Sequence, residues 1–142
     1  MNKTVVCSQV EDTEKIGTEI AEYAQKEGYT FIALYGDLGV GKTALVRGFV
    51  AFYGDSHNVM SPTYNLVNVY GDIYHFDMYR ISDEDDLYSI GFYDYDDGKN
   101  IIITEWSENI EYALPDRYLR VTIKKTENHE NERVIEIKTV GK

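Results

Sequence analysis

Thr30–Phe52, TFIALYGDLGVGKTALVRGFVAF, is the stretch from which the fold is read. Thr30 to Tyr35 is an apolar, β-rich run, and Lys42 to Phe52 carries apolar residues at helical spacing. Between them Gly36 to Thr43 reads GDLGVGKT, a full match to G-x-x-x-x-G-K-[ST]. The order is therefore strand, glycine-rich turn, helix. Each residue type in the turn has a physical task. Gly36, Gly39 and Gly41 let the backbone N–H groups along Asp37, Leu38 and Val40 turn inward around phosphate oxygens, and the helix behind adds the positive end of its dipole. Lys42 is placed to bridge the β- and γ-phosphates and the Thr43 hydroxyl to hold magnesium. With glycine near 7% of ordinary sequence, chance supplies such a string in about 0.5% of chains of this length, and an accidental string would not demand the flanking strand and helix. Nucleotide binding is the reading that follows.

A loop of this kind needs a carboxylate at the end of a neighbouring strand to hold magnesium or its waters. Asp77 in YHFDMYR and Glu105 in IIITEW both end apolar runs. Glu105, behind three isoleucines, fits the metal-organising role, and Asp77 fits an attacking water or a magnesium-bound water. Ser61, Pro62 and Thr63 lie between the loop helix and the next strand, where a segment sensing the γ-phosphate belongs. Trp106 directly follows Glu105 and is taken alone as a packing residue. Asp94-x-Asp96 imitates a calcium loop, but Gly98 and Lys99 occupy positions that such a loop needs otherwise, so calcium is rejected. His57, His75 and His129 are scattered, and His75 reads as a strand residue.

The remaining chain supplies a frame for this loop. Thr4 to Cys7 is a short strand. Glu11 to Glu27 carries Ile16, Ile20, Tyr23 and Ala24 at helical spacing, with Asp12 and Thr13 able to cap and Gly28 placed for a left-handed stop. Tyr64–Tyr70 and Ile73–Asp77 are joined by Gly71-Asp72, an antiparallel hairpin signal. Ser82-x-x-Asp85 announces a short capped helix whose acidic run, Asp83 to Asp86, suits a solvated helix start. Asn100 to Glu105 is a buried parallel strand in prospect. Tyr118–Lys124 and Val134–Thr139 alternate about the polar loop Thr126–Glu132, a second hairpin with one solvated face. The expected class is α/β, P-loop NTPase-like, with a mixed central sheet, flanking helices and antiparallel hairpins, in one domain over residues 1–142.

Composition narrows the partners. The 142 residues carry 25 acidic against 14 basic side chains, a net charge of -11. That field repels nucleic acid and anionic lipid, so any role with RNA is indirect. A chain of this length buries roughly 68% of its unfolded surface and can build a core without staples. The single Cys7 can form no internal disulfide, and neither a signal peptide nor a membrane span is legible, which predicts a cytoplasmic protein. Two other classes stay open. A small-molecule kinase of the P-loop kind would use a lid with several arginines, whereas Arg47, Arg80, Arg117, Arg120 and Arg133 form no local cluster. A nucleotide-gated binding module with negligible turnover is the other. A GTPase is excluded by the lack of an Asn-Lys-x-Asp guanine reader.

GDLGVGKT, SPTYNLV, YHFDMYRI and ITEW, in this order in a chain this short, resemble the TsaE (YjeE) family of bacterial P-loop ATPases. The resemblance runs from about Thr13 to Trp106 with a looser tail. It implies ATP and Mg2+ as cofactors and a role in making the threonylcarbamoyl modification of adenosine at tRNA position 37, in concert with the TsaD and TsaB proteins. It further implies that Gly36 to Thr43 binds phosphates, that Thr43 and Glu105 bind magnesium, and that Asp77 is the catalytic or switch aspartate. Trp106 would lie near the nucleotide, Ser61 to Thr63 would be the switch, and adenine contacts would fall near Ser8 to Thr13 and at Arg133. The charge of -11 agrees with a protein that serves a tRNA reaction without gripping tRNA.

Overall fold

The computed structural model describes residues 1–36, 41–54, 66–127 and 129–141. Their strands are β1 (Lys3–Cys7), β2 (Phe31–Tyr35), β3 (Val67–Tyr70), β4 (Ile73–Asp77), β5 (Ile101–Glu105), β6 (Tyr118–Thr126) and β7 (His129–Val140). The helices are α1 (Val10–Glu27), α2 (Lys42–Phe52), α3 (Glu84–Ser89) and α4 (Phe92–Tyr95), with a 3-10 turn over Ser107–Ala113. The strands form one seven-stranded sheet in the order β1-β7-β6-β2-β5-β4-β3. β2 runs parallel to β5 and β6, and β4 parallel to β5, while β3/β4, β6/β7 and β1/β7 pair antiparallel.

Strand periodicity sorts the core into two layers. Ile32 and Leu34 of β2 and Ile103 of β5 face α1 and α2, where Ile16, Ile20, Leu45, Val46 and Phe49 cover them. Phe31, Ala33 and Tyr35, with Ile102, face the opposite way onto Phe76, Leu87, Phe92 and Ile110. A strand covered on both faces must be apolar throughout. This is why FIALY of β2 is buried at every position and why three isoleucines open β5.

Several local expectations hold and three are corrected. Gly28 stops α1 at φ 76, and Gly71 turns the β3/β4 hairpin at φ 64. α2 occupies the predicted residues. At the start of α1, however, neither Asp12 nor Thr13 is the cap. Gln9 is, and the Asp12 carboxylate reaches back to the N–H groups of Ser8 and Gln9, while Thr13 turns inward at 3% exposure. The box before α3 likewise sits one residue on. Asp83 accepts from the Asp86 N–H at 3.0 Å, and the Asp86 carboxylate accepts from the Ser82 N–H and hydroxyl at 2.9 Å. The segment predicted as a loop over 126–132 instead holds the end of β6 and the start of β7, with Lys125 opposite Arg133, Thr126 opposite His129 and a register shift between the two pairs. Backbone pairing is indifferent to side-chain polarity where both faces meet water, so the alternation that marks a half-buried strand fades there without ending the strand. Residues 64 and 65, the predicted start of the third strand, lie outside the described residues. Among the described residues no helix is long and apolar enough to cross a membrane.

Candidate functional site

The parallel core brings the carboxyl ends of β4, β5 and β2 side by side, the edge of an α/β sheet where ligands bind. β2 ends at Tyr35, just before Gly36, and Gly41, at φ 101, leads directly into α2. Such a φ is open to glycine and strained for other residues. Lys42 thus stands at the first position of α2, with Thr43 beside it on the first turn. Asp37, Leu38, Gly39 and Val40 of the loop, and the switch candidates Ser61, Pro62 and Thr63, lie outside the described residues.

Lys42 is buried to 4% exposure, and its Nζ donates to the Gly36 carbonyl at 2.9 Å. It also stands 3.6 Å from Glu105 Oε1 and 4.8 Å from the centre of the Trp106 ring. Asp77 and Glu105 face each other across the β4/β5 register, both buried. The Asp77 carboxylate is oriented by the Tyr79 N–H, which donates to Oδ1 at 2.9 Å, and its own N–H donates to the Leu66 carbonyl at 2.8 Å. Burial on its own would push the Glu105 carboxyl up, but nearby His75 and Lys42 together outweigh it and hold the group below the ordinary carboxylate value. Glu105 is therefore an anion inside the protein.

The turns behind these strands are fastened together. Ser107 Oγ lies 2.7 Å from Thr104 Oγ1 and 3.0 Å from the Leu34 carbonyl, which ties the turn after β5 to β2. The Asn109 amide donates to the Met78 carbonyl at 2.9 Å and so ties the same turn to the segment after β4. Trp106 takes the left-handed conformation, φ 58, and its indole N–H is buried without a partner among the described residues.

On the far side of Gly41 a cavity of about 400 Å3 is lined by Ser8, Gln9, Thr13, Gly41, Ala44 and Arg133, among others. Residues distant in sequence, the start of α1 and the β7 arginine, meet there beside the loop. Sequence reading missed His75. It is fully buried, with Nε2 2.5 Å from Glu105 Oε2. The one signal was parity, since His75 and Asp77 are two apart on β4 and so share a face. Missed too were the Ser107 and Asn109 fasteners, whose partners depend on tertiary contacts.

The donors suit a small hard cation. Thr43 and Glu105 offer oxygen, as magnesium requires, and magnesium takes most of its coordination from phosphate and water. Among the described residues no three His, Cys, Asp or Glu side chains converge into a cage of their own.

The model of the family described as "Threonylcarbamoyl adenosine biosynthesis protein TsaE" matches residues 7–135. The chain is 38% identical over 135 residues to a tRNA threonylcarbamoyladenosine biosynthesis protein TsaE of Haemophilus influenzae, covering 90% of this chain and 85% of that one. It is 36% identical over 126 residues to the protein of that name from Bacillus subtilis, covering 86% and 77%. The crystal structure of YdiB from Bacillus subtilis superposes with a TM-score of 0.71 at 28% identity, over 99% of this chain and 88% of that one. The match extends past the resemblance read from sequence, into β6 and β7.

Proposed function

Because the chain belongs to the TsaE family of threonylcarbamoyl adenosine biosynthesis proteins, we propose that it is a magnesium-dependent ATPase, slow alone, that works through the TsaD and TsaB proteins in the cytoplasm. Its process is the biosynthesis of threonylcarbamoyladenosine in tRNA. The observation that carries the ATPase reading is Lys42, at the start of α2, beside Glu105, which stands opposite Asp77 at adjacent strand ends. In this assignment Gly36 to Thr43 cradles the phosphates, with Lys42 on the β- and γ-phosphates. Thr43 and Glu105 hold Mg2+, which supplies neutralisation of phosphate charge. Asp77 orders the water. The cavity bounded by Ser8, Thr13 and Arg133 takes the nucleoside, and Trp106, beside Lys42, lies near the bound nucleotide. Ser61 to Thr63 is the switch, and residues 1–142 act as one domain, both apolar layers sharing one sheet.

Lys42 must change partners when phosphate arrives, leaving Glu105 to the metal. The kinase alternative loses ground on the placement of its arginines. Arg47 pairs with Glu14, Arg117 covers the Tyr29 ring and Arg120 the Tyr35 ring, so these three do not assemble a lid. A ligand shifts an equilibrium only through unequal contacts with the two states, and the γ-phosphate is the group ATP has and ADP lacks. Binding to a TsaD–TsaB pair is therefore expected to be about tenfold tighter with ATP than with ADP, within the usual range of such coupling. Equal affinity in both nucleotides, read by surface plasmon resonance, defeats this reading.

A further inference from the structure

We infer that His75 is a positioning residue for Glu105, holding one carboxylate oxygen so that the other faces the loop lysine and the metal. This rests on the magnesium–nucleotide reading above. The two oxygens of Glu105 are divided between two cationic or donor groups. Oε2 lies 2.5 Å from His75 Nε2, and Oε1 lies 3.6 Å from Lys42 Nζ. His75 comes from β4, opposite Ile103 of β5 in register and diagonal to Glu105. Its ring is fully buried, and neither nitrogen makes an aligned hydrogen bond among the described residues. The approach to Glu105 is thus a close polar contact, not an aligned hydrogen bond.

A polar ring in an apolar layer is costly unless something is gained. On the same face of β4 and β5 stand Ile73 and Ile103, so a branched aliphatic side chain would fit the layer at least as well. What histidine adds is a rigid ring nitrogen held against the rear oxygen of the carboxylate. Without it Glu105 is free to rotate and to turn both oxygens toward Lys42, which would strengthen that ion pair and compete with the cation. With it, one oxygen stays forward. Carboxylates that ligate metals are commonly held in this way, and removing the outer partner costs about 10- to 100-fold in metal affinity.

His75→Gln and His75→Met have nearly the same shape and differ in the donor, since the glutamine Nε2 reaches where the imidazole Nε2 lies. Calorimetry of ATP binding, across a magnesium titration and in EDTA, separates the roles. His75→Met is expected to need about tenfold more magnesium for half-maximal tightening of ATP, with affinity in EDTA unchanged. His75→Gln is expected to recover most of the loss, while thermal melting falls similarly in both. Indistinguishable magnesium titrations for the two variants overturn the positioning role. A wild-type protein whose ATP affinity ignores magnesium overturns both this inference and the site reading on which it stands. Should His75→Met not fold, His75→Asn, whose amide is a methylene too short for Glu105, takes its place against His75→Gln.

Discussion

Lys42 is buried, and its partners are protein groups, the Gly36 carbonyl, Glu105 and the Trp106 face, which the proposed assignment has phosphate and metal replace. Removing it takes away a charge-assisted hydrogen bond worth ~1.5–3 kcal/mol, so Lys42→Ala is expected to weaken ATP about tenfold or more. The two carboxylates separate more sharply. Glu105→Gln removes the negative charge of the proposed magnesium ligand and should flatten the magnesium dependence of ATP affinity. Asp77→Asn keeps the acceptor for the Tyr79 N–H, leaves affinity nearly unchanged, and slows turnover about 100-fold or more through loss of water activation. The reverse pattern, in calorimetry paired with phosphate release, exchanges their roles. The position of Lys42 and Thr43 at the start of a helix was legible because a motif carries its own spacing, and that of Glu105 at a buried strand end because three isoleucines precede it. His75 was not. Which residue of β4 meets Glu105 is set by inter-strand register, and no local pattern encodes that register.

At the scale of elements, the packing of α1 on α2 positions the loop helix, and it depends on two glycines. A Cβ on Gly17 would lie 2.0 Å from the Leu45 carbonyl oxygen, and one on Gly48 1.8 Å from that of Glu14. Thr18 adds a bond to the Gly48 carbonyl at 3.0 Å. Alanine in a helix interior is worth about 1 kcal/mol over glycine, but here the obstacle is backbone, which cannot swing aside. Gly48→Ala is therefore expected to destabilise by about 1–3 kcal/mol or more in urea unfolding. A stabilised variant would show that the helices do not approach so closely. No sequence pattern marks Gly17 or Gly48, whose demand comes from a neighbouring helix, whereas Gly28 and Gly71 were readable because turns announce themselves. The cap of α3 gives a pH test. Bonds from the Ser82 N–H and hydroxyl hold the Asp86 carboxyl below its ordinary value. Its contribution is therefore complete above the ordinary carboxylate range and is lost as pH falls through the lowered value. Asp86→Ala should be less stable than wild type at neutral pH, with the gap closing on acidification. A gap independent of pH would place the effect in side-chain packing instead.

For the molecule as a whole, charge decides what the sheet edge can meet. The sequence holds 25 acidic and 14 basic residues, and much of the positive charge is already engaged. Lys3 pairs with Glu19, Arg47 with Glu14, Lys138 with Glu136 and Lys42 with Glu105, while Arg117 and Arg120 lie over tyrosine rings. Gripping RNA needs lysines and arginines free to displace counterions from phosphates, and affinity for nucleic acid scales with how many do so. A field of net -11 opposes even the first encounter. The isolated protein is therefore expected not to bind labelled tRNA in fluorescence anisotropy at about 0.15 M salt, where basic proteins bind non-specifically with Kd of roughly 10⁻⁴–10⁻⁶ M. Lowering the salt tenfold should not rescue it, because weaker screening strengthens repulsion as well as attraction. Micromolar binding that tightens steeply as salt falls would mean that a cationic surface exists despite the net charge. The protein would then reach tRNA itself and not through its partners.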